Sequence, residues 1–571
     1  FYSFTQMPSS FNDYRLTDEQ KGLVEMTVQG YHESRDAKAD YMRKAIEWFK
    51  WYNMYVPKPK DKNKNRRART SAPQGFSITE HTTAKIKSAI FPPNENNPII
   101  RALPTEFQDV DNANVVELLV NYDLRRAGIR HKGEKWIRNF SMFGTAPVFP
   151  FWRREVVVKT VRDPMIIQSP FDGRYYKLGL DMPVQKPIVC FNGPDFDVCD
   201  IEDFYPDPAA KCFDRYDMRY VVRVYQMPYE RLKARIESEP EMWDAEVFGY
   251  IDPNETPPLR ETDGFTDTIN RYYEYPMFEQ GRASKGMLEV MEYLSRDRRV
   301  VVVNRKYPVG NTPNPYWFTE VPGIVATRLP ITNYPWGKGV IEPIEKSLAY
   351  LTALKNARLD TINLAVNPPW LMLPGMLKKE DQLTTPNKFI EVVSLDAVKP
   401  LEIPDFTSNV HVEEGRMIAD MQEADNLPPF AQGINQGSNI RSTGQQLSLL
   451  EMVSERTQMD IDDFGESGLK PLAEWFYALR QQFMTTEENI RVAGEDGINF
   501  IPVRPEDLYG SYDFRLEASA RTTPKAVEAQ NRLAFANLIA PILLNPTGFP
   551  EEAIELYKSI AMDIGYTREA K

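Results

Sequence analysis

The sequence has few of the residues that most often bind metals or form disulfides. Among its 571 residues are three cysteines and four histidines. The cysteines lack Cys-x-x-Cys spacing, and the histidines lie far apart with no His-Glu-x-x-His pair, so no zinc site is expected. A disulfide framework is not expected either, because the cysteine count is low and odd, which fits a reducing compartment better.

Long apolar runs are also missing. The longest uncharged, largely apolar stretches are residues 361–377 and 535–550. Both are shorter than the ~20 residues that a helix needs to cross a bilayer, and prolines interrupt both. The sequence therefore predicts no transmembrane helix.

Two features of nucleotide-binding and nucleic-acid-binding proteins are absent. No Gly-x-x-x-x-Gly-Lys-Ser/Thr phosphate loop occurs, since Gly337-Lys338-Gly339 has no hydroxyl residue after its lysine. The chain carries 69 Lys and Arg against 81 Asp and Glu, a net charge of −12. This acidity argues against a protein that holds nucleic acid through an overall basic surface, although local basic patches are compatible with it.

What is present is the composition of a folded protein. Hydrophobic residues make up 42% of the chain and charged residues 26%, both near globular averages. The length allows roughly three or four domains of ~150 residues. Proline is frequent, with 45 residues, which predicts many short elements joined by long, shaped connections.

The first 330 residues alternate between helical and β-rich sequence. Helical periodicity covers residues 16–49, 77–91 and 109–143. From residue 148 to about 328 the sequence is rich in β-branched residues and turn signals, and a short helix follows Pro228. Strands are predicted there at residues 155–159, 188–191, 220–224 and 300–303. Separate helical and β-rich stretches predict the α+β fold class.

Two predicted helices then enclose a small module. The first begins at Pro343, keeps apolar residues at three-to-four spacing, and ends before Asn367-Pro368-Pro369. The second begins at Ser408 as N-cap and ends near Asn426. The Pro-punctuated sequence between them is partly β-like. A helical hairpin with an inserted head is therefore predicted.

A loop and a kinked helix are predicted after the hairpin. Residues 430–442 are too rich in Gly, Asn, Gln and Ser to bury a core, so they are interpreted as a mobile loop. A helix then starts at Thr443, which forms a capping-box pattern with Gln446. Its interior contains three breakers that predict a kink: Gly465, Gly468 and Pro471. Strands at 500–503 and 513–517 and a helical region from residue 523 complete the chain.

Two charged clusters leave alternatives open. The carboxylates Asp460, Asp462, Asp463 and Glu466 could hold magnesium in a metal-dependent nuclease, but a solvated helix face is the favoured interpretation. The basic run between residues 58 and 69 is either a phosphate-binding loop or a solvated one. Its central cations are Lys60, Lys62, Lys64, Arg66 and Arg67.

Three motifs, in order along the chain, carry a family resemblance. The first is Phe204-Tyr205-Pro206-Asp207-Pro208. The second runs from Tyr307-Pro308 through Leu329-Pro330, Asn333-Tyr334-Pro335-Trp336-Gly337-Lys338-Gly339 and Glu342-Pro343 to Asn367-Pro368-Pro369. The third is Arg441-Ser442-Thr443-Gly444-Gln445-Gln446 with the long helix that follows, as far as Pro471-Leu472. Together they resemble the portal (head-to-tail connector) proteins of tailed bacteriophages, especially short-tailed phages.

The resemblance implies a portal-like, multidomain subunit. It would consist of an α/β wing (1–342), a first stem helix (343–366), a clip (367–406), a second stem helix (407–426), a tunnel loop (427–442), the kinked wing helix with strands (443–522) and a short helical crown (523–571). Family members form rings, usually of twelve subunits, at one capsid vertex. The crown is shorter than in the family pattern, which argues against a long helical barrel inside the head.

The same resemblance implies the function and the partners. The expected protein is no enzyme and needs no cofactor or metal; it is a virion component, assembled in the host cytoplasm, whose ring lets double-stranded DNA pass without sequence specificity. Expected protein partners are the terminase motor, tail adaptor proteins, and the major capsid and scaffolding proteins. No association with a membrane is expected.

The resemblance also assigns roles to charged and polar residues. Acidic channel candidates on the second stem helix are Glu413, Glu414, Asp420 and Glu423. Two basic residues on the first stem helix, Lys355 and Arg358, are candidates for pairing between subunits or for a weak grip on DNA. The tunnel loop offers Asn435, Gln436, Ser438, Asn439 and Arg441 for transient phosphate contacts. The clip offers Lys378, Lys379, Glu380 and Asp381 for docking, or simply as a solvated turn.

Three hypotheses follow. A conduit should repel DNA weakly, because a wholly basic channel would hold the duplex and resist sliding. The alternative, a nuclease, predicts magnesium-dependent cleavage that Asp462→Ala abolishes. The third is a capsid-associated adaptor other than a portal.

Overall fold

The fold was taken from a computed structural model. It describes residues 16–56, 68–91, 98–106, 109–168, 175–213, 217–238, 240–253, 255, 258, 286–317, 320–366, 370–372, 398–400, 407–424, 457–494 and 497–516.

Helices lie mainly in the first 150 residues and after residue 340. They are α1 (Asp18–Tyr52), α2 (Gln74–Ile90), α3 (Val110–Arg126), α4 (Ile129–Phe143), α5 (Tyr229–Ser238), α6 (Ala245–Phe248), α7 (Ile341–Val366), α8 (Thr407–Ala424) and α9 (Lys470–Phe483). Short 3-10 helices cover Ile201–Asp203 and Pro505–Leu508. Residues 457–464 are also α-helical and lead through a π-helical turn, Gly465–Leu469, into α9.

The strands form small antiparallel sheets. They are β1 (Ile100–Pro104), β2 (Thr145–Gln168), β3 (Tyr175–Val198), β4 (Phe204–Pro206), β5 (Tyr220–Pro228), β6 (Met287–Ser295), β7 (Arg298–Val303), β8 (Tyr307–Pro313), β9 (Ile324–Thr327), β10 (Trp370–Met372), β11 (Val398–Pro400), β12 (Glu488–Gly494), β13 (Gly497–Val503) and β14 (Tyr512–Leu516). The sheet orders are β4-β5-β6-β7-β8, β3-β2-β9, β1-β14, β10-β11 and β12-β13. Helices and antiparallel strands are segregated, so the α+β prediction is confirmed.

The five-stranded sheet is covered on both faces. Along β7, Val300 and Val302 face α1, whereas Val301 and Val303 face α5 and α6. This alternation follows from the two-residue period of a strand. The predicted strands at 220–224 and 300–303 lie in this sheet, and those at 155–159 and 188–191 lie in β2 and β3.

A larger core joins the N-terminal helices to the C-terminal part. It contains Trp136 and Phe140 of α4, Phe476 of α9 and Phe514 of β14. Within it, the Arg480 guanidinium forms a bidentate ion pair with Asp123 at 2.7 and 2.8 Å, with both side chains buried. The residues 457–516 therefore complete a core begun more than 300 positions earlier.

Two sequence predictions about helix continuity have different outcomes. The block 109–143 was predicted as one helix, but it is two, because Gly128 takes a left-handed φ of +79° and ends the run. The predicted irregularity near Gly465 is confirmed as the π-helical turn. A Cβ atom on Gly468 would lie 2.9 Å from the Trp136 ring, so this turn packs closely on α4.

The cysteines differ in exposure, and the helices bear on the prediction that no segment crosses a membrane. Cys190 and Cys212 are exposed thiols, whereas Cys199 is buried, which raises its pKa to about 12. None of the helices in the described residues combines the length and apolarity needed to cross a membrane.

Candidate functional site

The predicted helix pair is present and forms one compact unit, here called the hairpin (α7 and α8). Its helices span Ile341–Val366 and Thr407–Ala424, within two residues of the predicted bounds. Leu348 and Leu351 of α7 share a buried cluster with Met421 of α8. The short β10–β11 pair lies between the helices in the chain, where a small module was expected.

A charged bridge also joins the two helices. Arg358 Nη1 lies 3.1 Å from Glu414 Oε2 and 3.1 Å from His411 Nδ1. The Arg358 and Glu414 side chains are largely shielded from solvent. Arg358 was expected to pair with another subunit or to contact DNA weakly, but in this structure its guanidinium bridges α7 to α8.

The four predicted acidic channel residues differ in exposure, because one of them takes part in this bridge. Glu414 is only 7% exposed because its carboxylate faces α7. Asp420 and Glu423 are exposed, and Glu413 is half-buried with its carboxylate 3.6 Å from Arg416. Three of the four predicted carboxylates therefore reach solvent, whereas the Glu414 carboxylate is held inside the hairpin by Arg358. Lys355, the second predicted basic residue, is half-buried.

The end of α7 distant from the core exposes apolar side chains. Ile362, Leu364 and Val366 are all exposed, and Val366 reaches 71%. Val412 on α8 and Tyr350 on α7 are exposed as well. Isolated exposed apolar residues are common, whereas several on one helix end form a candidate contact surface.

A polar ladder on α7 holds a neighbouring chain segment. Thr352, Asn356 and Asp360 lie one helical turn apart and accept hydrogen bonds from the backbone of Ala72, Thr70 and Ala68 respectively. The Asn356 amide also donates to the Thr70 carbonyl at 3.0 Å. Sequence analysis missed this ladder, although its four-residue spacing on a predicted helix was visible.

The hairpin begins at a tightly docked turn, here called the root (residues 328–340). The backbone N–H of Arg328 donates a hydrogen bond to Gly144 O at 2.8 Å, and that of Val340 donates to Ser141 O at 2.8 Å. Gly337 donates to Thr145 Oγ1 at 3.0 Å. These bonds fix the root to the end of α4 and the start of β2, so the direction of α7 is set by the core.

Glycine and aromatic residues explain why the root can dock so closely. A Cβ atom at Gly337 would overlap the carbonyl oxygen of Gly144, and one at Gly339 would overlap that of Met142. The Trp336 ring stacks on Tyr41 with the ring centroids 4.1 Å apart. The Trp-Gly-Lys-Gly motif therefore serves close packing between backbones.

The carboxylate cluster has structural partners. Asp460 forms a buried bidentate ion pair with Arg328 at 2.8 and 3.0 Å, and Asp463 accepts a hydrogen bond from the Leu329 backbone at 3.2 Å. Burial raises the pKa of the Asp463 carboxyl. Asp462 accepts from Gln458, and Glu466 lies 3.8 Å from Lys470.

The favoured interpretation of these carboxylates as a solvated face is therefore wrong for Asp460, which is buried and holds the root. No cluster of His, Cys, Asp or Glu suited to a metal occurs within the described residues. The observation that supported a nuclease is thus accounted for by folding contacts.

Several predicted site residues lie outside the described residues. They are the tunnel-loop residues Asn435, Gln436, Ser438, Asn439 and Arg441, the clip residues Lys378, Lys379, Glu380 and Asp381, and the basic-loop residues Lys60, Lys62, Lys64, Arg66 and Arg67. The predicted crown, residues 523–571, lies outside them too.

Comparison with known protein families finds a match in the second half of the chain. Residues 291–570 match the family model described as phage SU10 portal protein. This region contains the root, the hairpin and the carboxylates that hold the root, together with the second and third sequence motifs. No curated protein matches the chain.

Proposed function

Since residues 291–570 match the family model described as phage SU10 portal protein, we propose that this protein is a portal protein that forms a ring at one vertex of a phage capsid. Double-stranded DNA passes through the ring when the genome is packaged and again when it is ejected. The family match is the observation that carries this proposal. The protein acts as a structural conduit and not as an enzyme, and it resides in the virion.

The hairpin is the proposed channel-lining element. Its root is anchored in the core, so α7 and α8 can be held in a fixed direction while DNA slides past. Duplex DNA carries about one negative charge per 1.7 Å of its axis. Exposed Asp420 and Glu423, repeated around a ring, repel it weakly and keep it from binding tightly.

The exposed apolar end of α7 supports assembly. In a ring of identical subunits each copy presents one face to the next copy and receives the complementary face. Ile362, Leu364 and Val366 are solvated in a single chain and become buried when a neighbouring hairpin packs beside them. We assign a ring of twelve subunits from the family resemblance.

The remaining assignments extend the same proposal. The terminase motor and later the tail adaptor proteins dock in turn at the clip, through Lys378, Lys379, Glu380 and Asp381. The tunnel-loop residues between 435 and 441 make transient hydrogen bonds to phosphates. The capsid and scaffolding proteins surround the wing. None of these contacts requires recognition of bases.

Electron microscopy of the purified protein tests the proposal. Annular particles with a central hole are expected, and uniformly monomeric, globular particles would overturn it. Incubation with plasmid DNA and Mg²⁺ serves as a second readout, in which no cleavage is expected. Cleavage that Asp462→Ala abolishes would instead establish the nuclease.

Deleting residues 433–439 separates assembly from DNA handling. A peripheral tunnel loop predicts that rings still form but that packaged DNA is retained poorly. Loss of ring formation in this deletion would contradict the assignment of the loop to the channel surface.

A further inference from the structure

The longest strands of the protein form a ribbon that leaves the core. β2 and β3 pair in antiparallel register from Val148↔Val198 to Gln168↔Tyr175. β9 pairs with β2 only over residues 145–148. Beyond residue 153 on β2 and residue 192 on β3, the two strands pair only with each other within the described residues. This section is here called the ribbon.

The ribbon is long, and neither of its edges pairs with a further strand in the part of the chain that the structure describes. From residue 153 to 168 its first strand has sixteen residues, which at ~3.3 Å per residue span about 50 Å. Open edges of this length pair readily with another chain unless they are protected. A two-stranded ribbon is also only marginally stable in water by itself.

Aromatic contacts fix the base of the ribbon to the core. The Trp152 ring stacks on Phe483 with centroids 5.3 Å apart, and Arg480 lies over the same indole. On the other strand, the Phe191 ring lies between the guanidinium groups of Arg126 and Arg153, at 4.6 and 5.1 Å. The ribbon therefore projects in a defined direction.

The ribbon exposes apolar side chains on both faces. Val156 pairs with Val189, Val157 with Ile188, and Val158 with Pro187. Successive residues of a strand point to opposite faces, so Val156 and Val158 share one face and Val157 lies on the other. All three valines are exposed, and Val158 reaches 62%. A sheet face that stays solvated usually carries polar residues, so the apolar rows at 156–158 and 187–189 favour a covering partner at this part of the ribbon.

We propose that the ribbon is an arm that each subunit lays against the next copy of the chain. This inference rests on the proposed ring and adds the surface through which neighbours hold each other. A ribbon about 50 Å long and about 10 Å wide offers roughly 1,000 Å² over its two faces, comparable with the ~800 Å² per partner of a stable interface.

Charge favours a second copy as the occupant. Residues 153–192 contain seven Lys and Arg and four Asp and Glu, whereas the whole chain has a net charge of −12. The ribbon is thus a basic, apolar arm on an acidic subunit, and the rest of a neighbouring subunit offers the opposite charge. Complementary charge of this kind steers association and fixes the register of an interface.

DNA fits the ribbon less well than a second copy does. Nucleic acid is bound mainly by charged and polar groups that reach phosphates and base edges. Here the exposed rows at 156–158 and 187–189 are apolar on both faces. Binding of DNA is therefore kept as an outcome of the test.

Cys190 is a natural probe, because its thiol lies on the ribbon and is exposed, whereas Cys199 is buried. Cys212→Ser removes the other exposed thiol. Maleimide labelling of this variant is then timed on the ring fraction and on the monomer fraction from gel filtration. We expect labelling at least tenfold slower in the ring. Equal rates in the two fractions overturn the inference, and so does protection that appears only when DNA is added.

A triple variant, V156T/V158T/V189T, tests the apolar face while keeping β-branched side chains. We expect its monomer to melt within a few degrees of wild type and its rings to need at least tenfold more protein to assemble. The matched control is Tyr509→Thr, which changes a side chain that is 74% exposed elsewhere and should leave assembly unchanged.

The outcomes separate the two proposals. The ribbon inference is overturned if the wild-type protein forms rings, the triple variant assembles equally well and Cys190 in the ring is fully labelled. The proposed portal function is unaffected by that result. Absence of rings from the wild-type protein overturns both. If the triple variant fails to fold, the Cys190 labelling rates on the wild-type ribbon still decide the question.

Discussion

The root and the hairpin are adjacent in the chain but differ in how they use their side chains. In the root, Arg328 is buried with Asp460, and Gly337 touches the backbone of Gly144. In the hairpin, contacts become sparser along α7, from buried Leu348 to Val366, which is 71% exposed. The root is completed by its own chain, whereas the outer hairpin exposes apolar side chains that we propose a neighbouring subunit covers. This difference separates residues that serve folding from residues that serve assembly.

The largest expected effect breaks the root. Asp460→Ala removes the carboxylate that pairs with the buried Arg328 guanidinium, so the free energy of unfolding should fall by about 3–5 kcal/mol. Asp462→Ala, two residues away on the exposed side of the same helix, removes a carboxylate that accepts a hydrogen bond from Gln458 and should change it by less than ~0.5 kcal/mol. Urea titrations of both variants measure this contrast. Equal losses would mean that the carboxylates act as one cluster.

Two glycines should respond with opposite signs. Gly337→Ala places a methyl group against Gly144 O and should destabilise the protein by roughly 2–3 kcal/mol. Gly415→Ala lies in the middle of α8 with open space around it, so it should stabilise the helix by about 0.5–1 kcal/mol. Thermal unfolding of the pair provides the measurement. A stabilising Gly337→Ala would contradict the close docking of the root.

The charged bridge of the hairpin should have an intermediate effect. Glu414→Gln weakens the contact to Arg358 and should cost about 1–2 kcal/mol, since both groups are largely shielded. The adjacent Glu413→Gln is the matched control, because its carboxylate is half-exposed and should matter by less than ~0.5 kcal/mol. Chemical denaturation distinguishes them, and a larger loss for Glu413→Gln would reverse the assigned orientation of α8.

The smallest effect on folding is expected at the outer end of α7. Val366→Ser should leave the free energy of unfolding of the monomer within ~0.5 kcal/mol of wild type. It should nevertheless raise the protein concentration needed for ring assembly, because Val366 is then covered by a neighbour. Native mass spectrometry across a dilution series tests this, and unchanged assembly would remove Val366 from the interface.

Much of the local structure was predictable from the sequence. The hairpin bounds, the β-rich region and the irregular turn at Gly465 were predicted from periodicity and from helix breakers, which act over a few residues. The single helix over 109–143 was wrong, because its pattern continues across the break and only the positive φ of Gly128 ends it.

The roles of individual site residues were less predictable. The four carboxylates between 460 and 466 look alike in sequence, yet only Asp460 is buried with an arginine 132 positions away. Likewise, Glu413 and Glu414 are neighbours, but consecutive residues of a helix project in different directions, and only Glu414 is directed toward Arg358. Burial depends on which distant elements pack there, and a local pattern does not contain that information.

The sequence by itself determined the α+β class, the approximate bounds of the two hairpin helices, the acidic character of the chain and its resemblance to portal proteins. These follow from composition and from interactions between near neighbours along the chain. Only the tertiary structure decided that Asp460 holds the root, that α7 carries a ladder for residues 68–72, and that β2 and β3 leave the core as an apolar ribbon. Each of these features depends on which residues far apart in sequence come into contact, and only folding decides that.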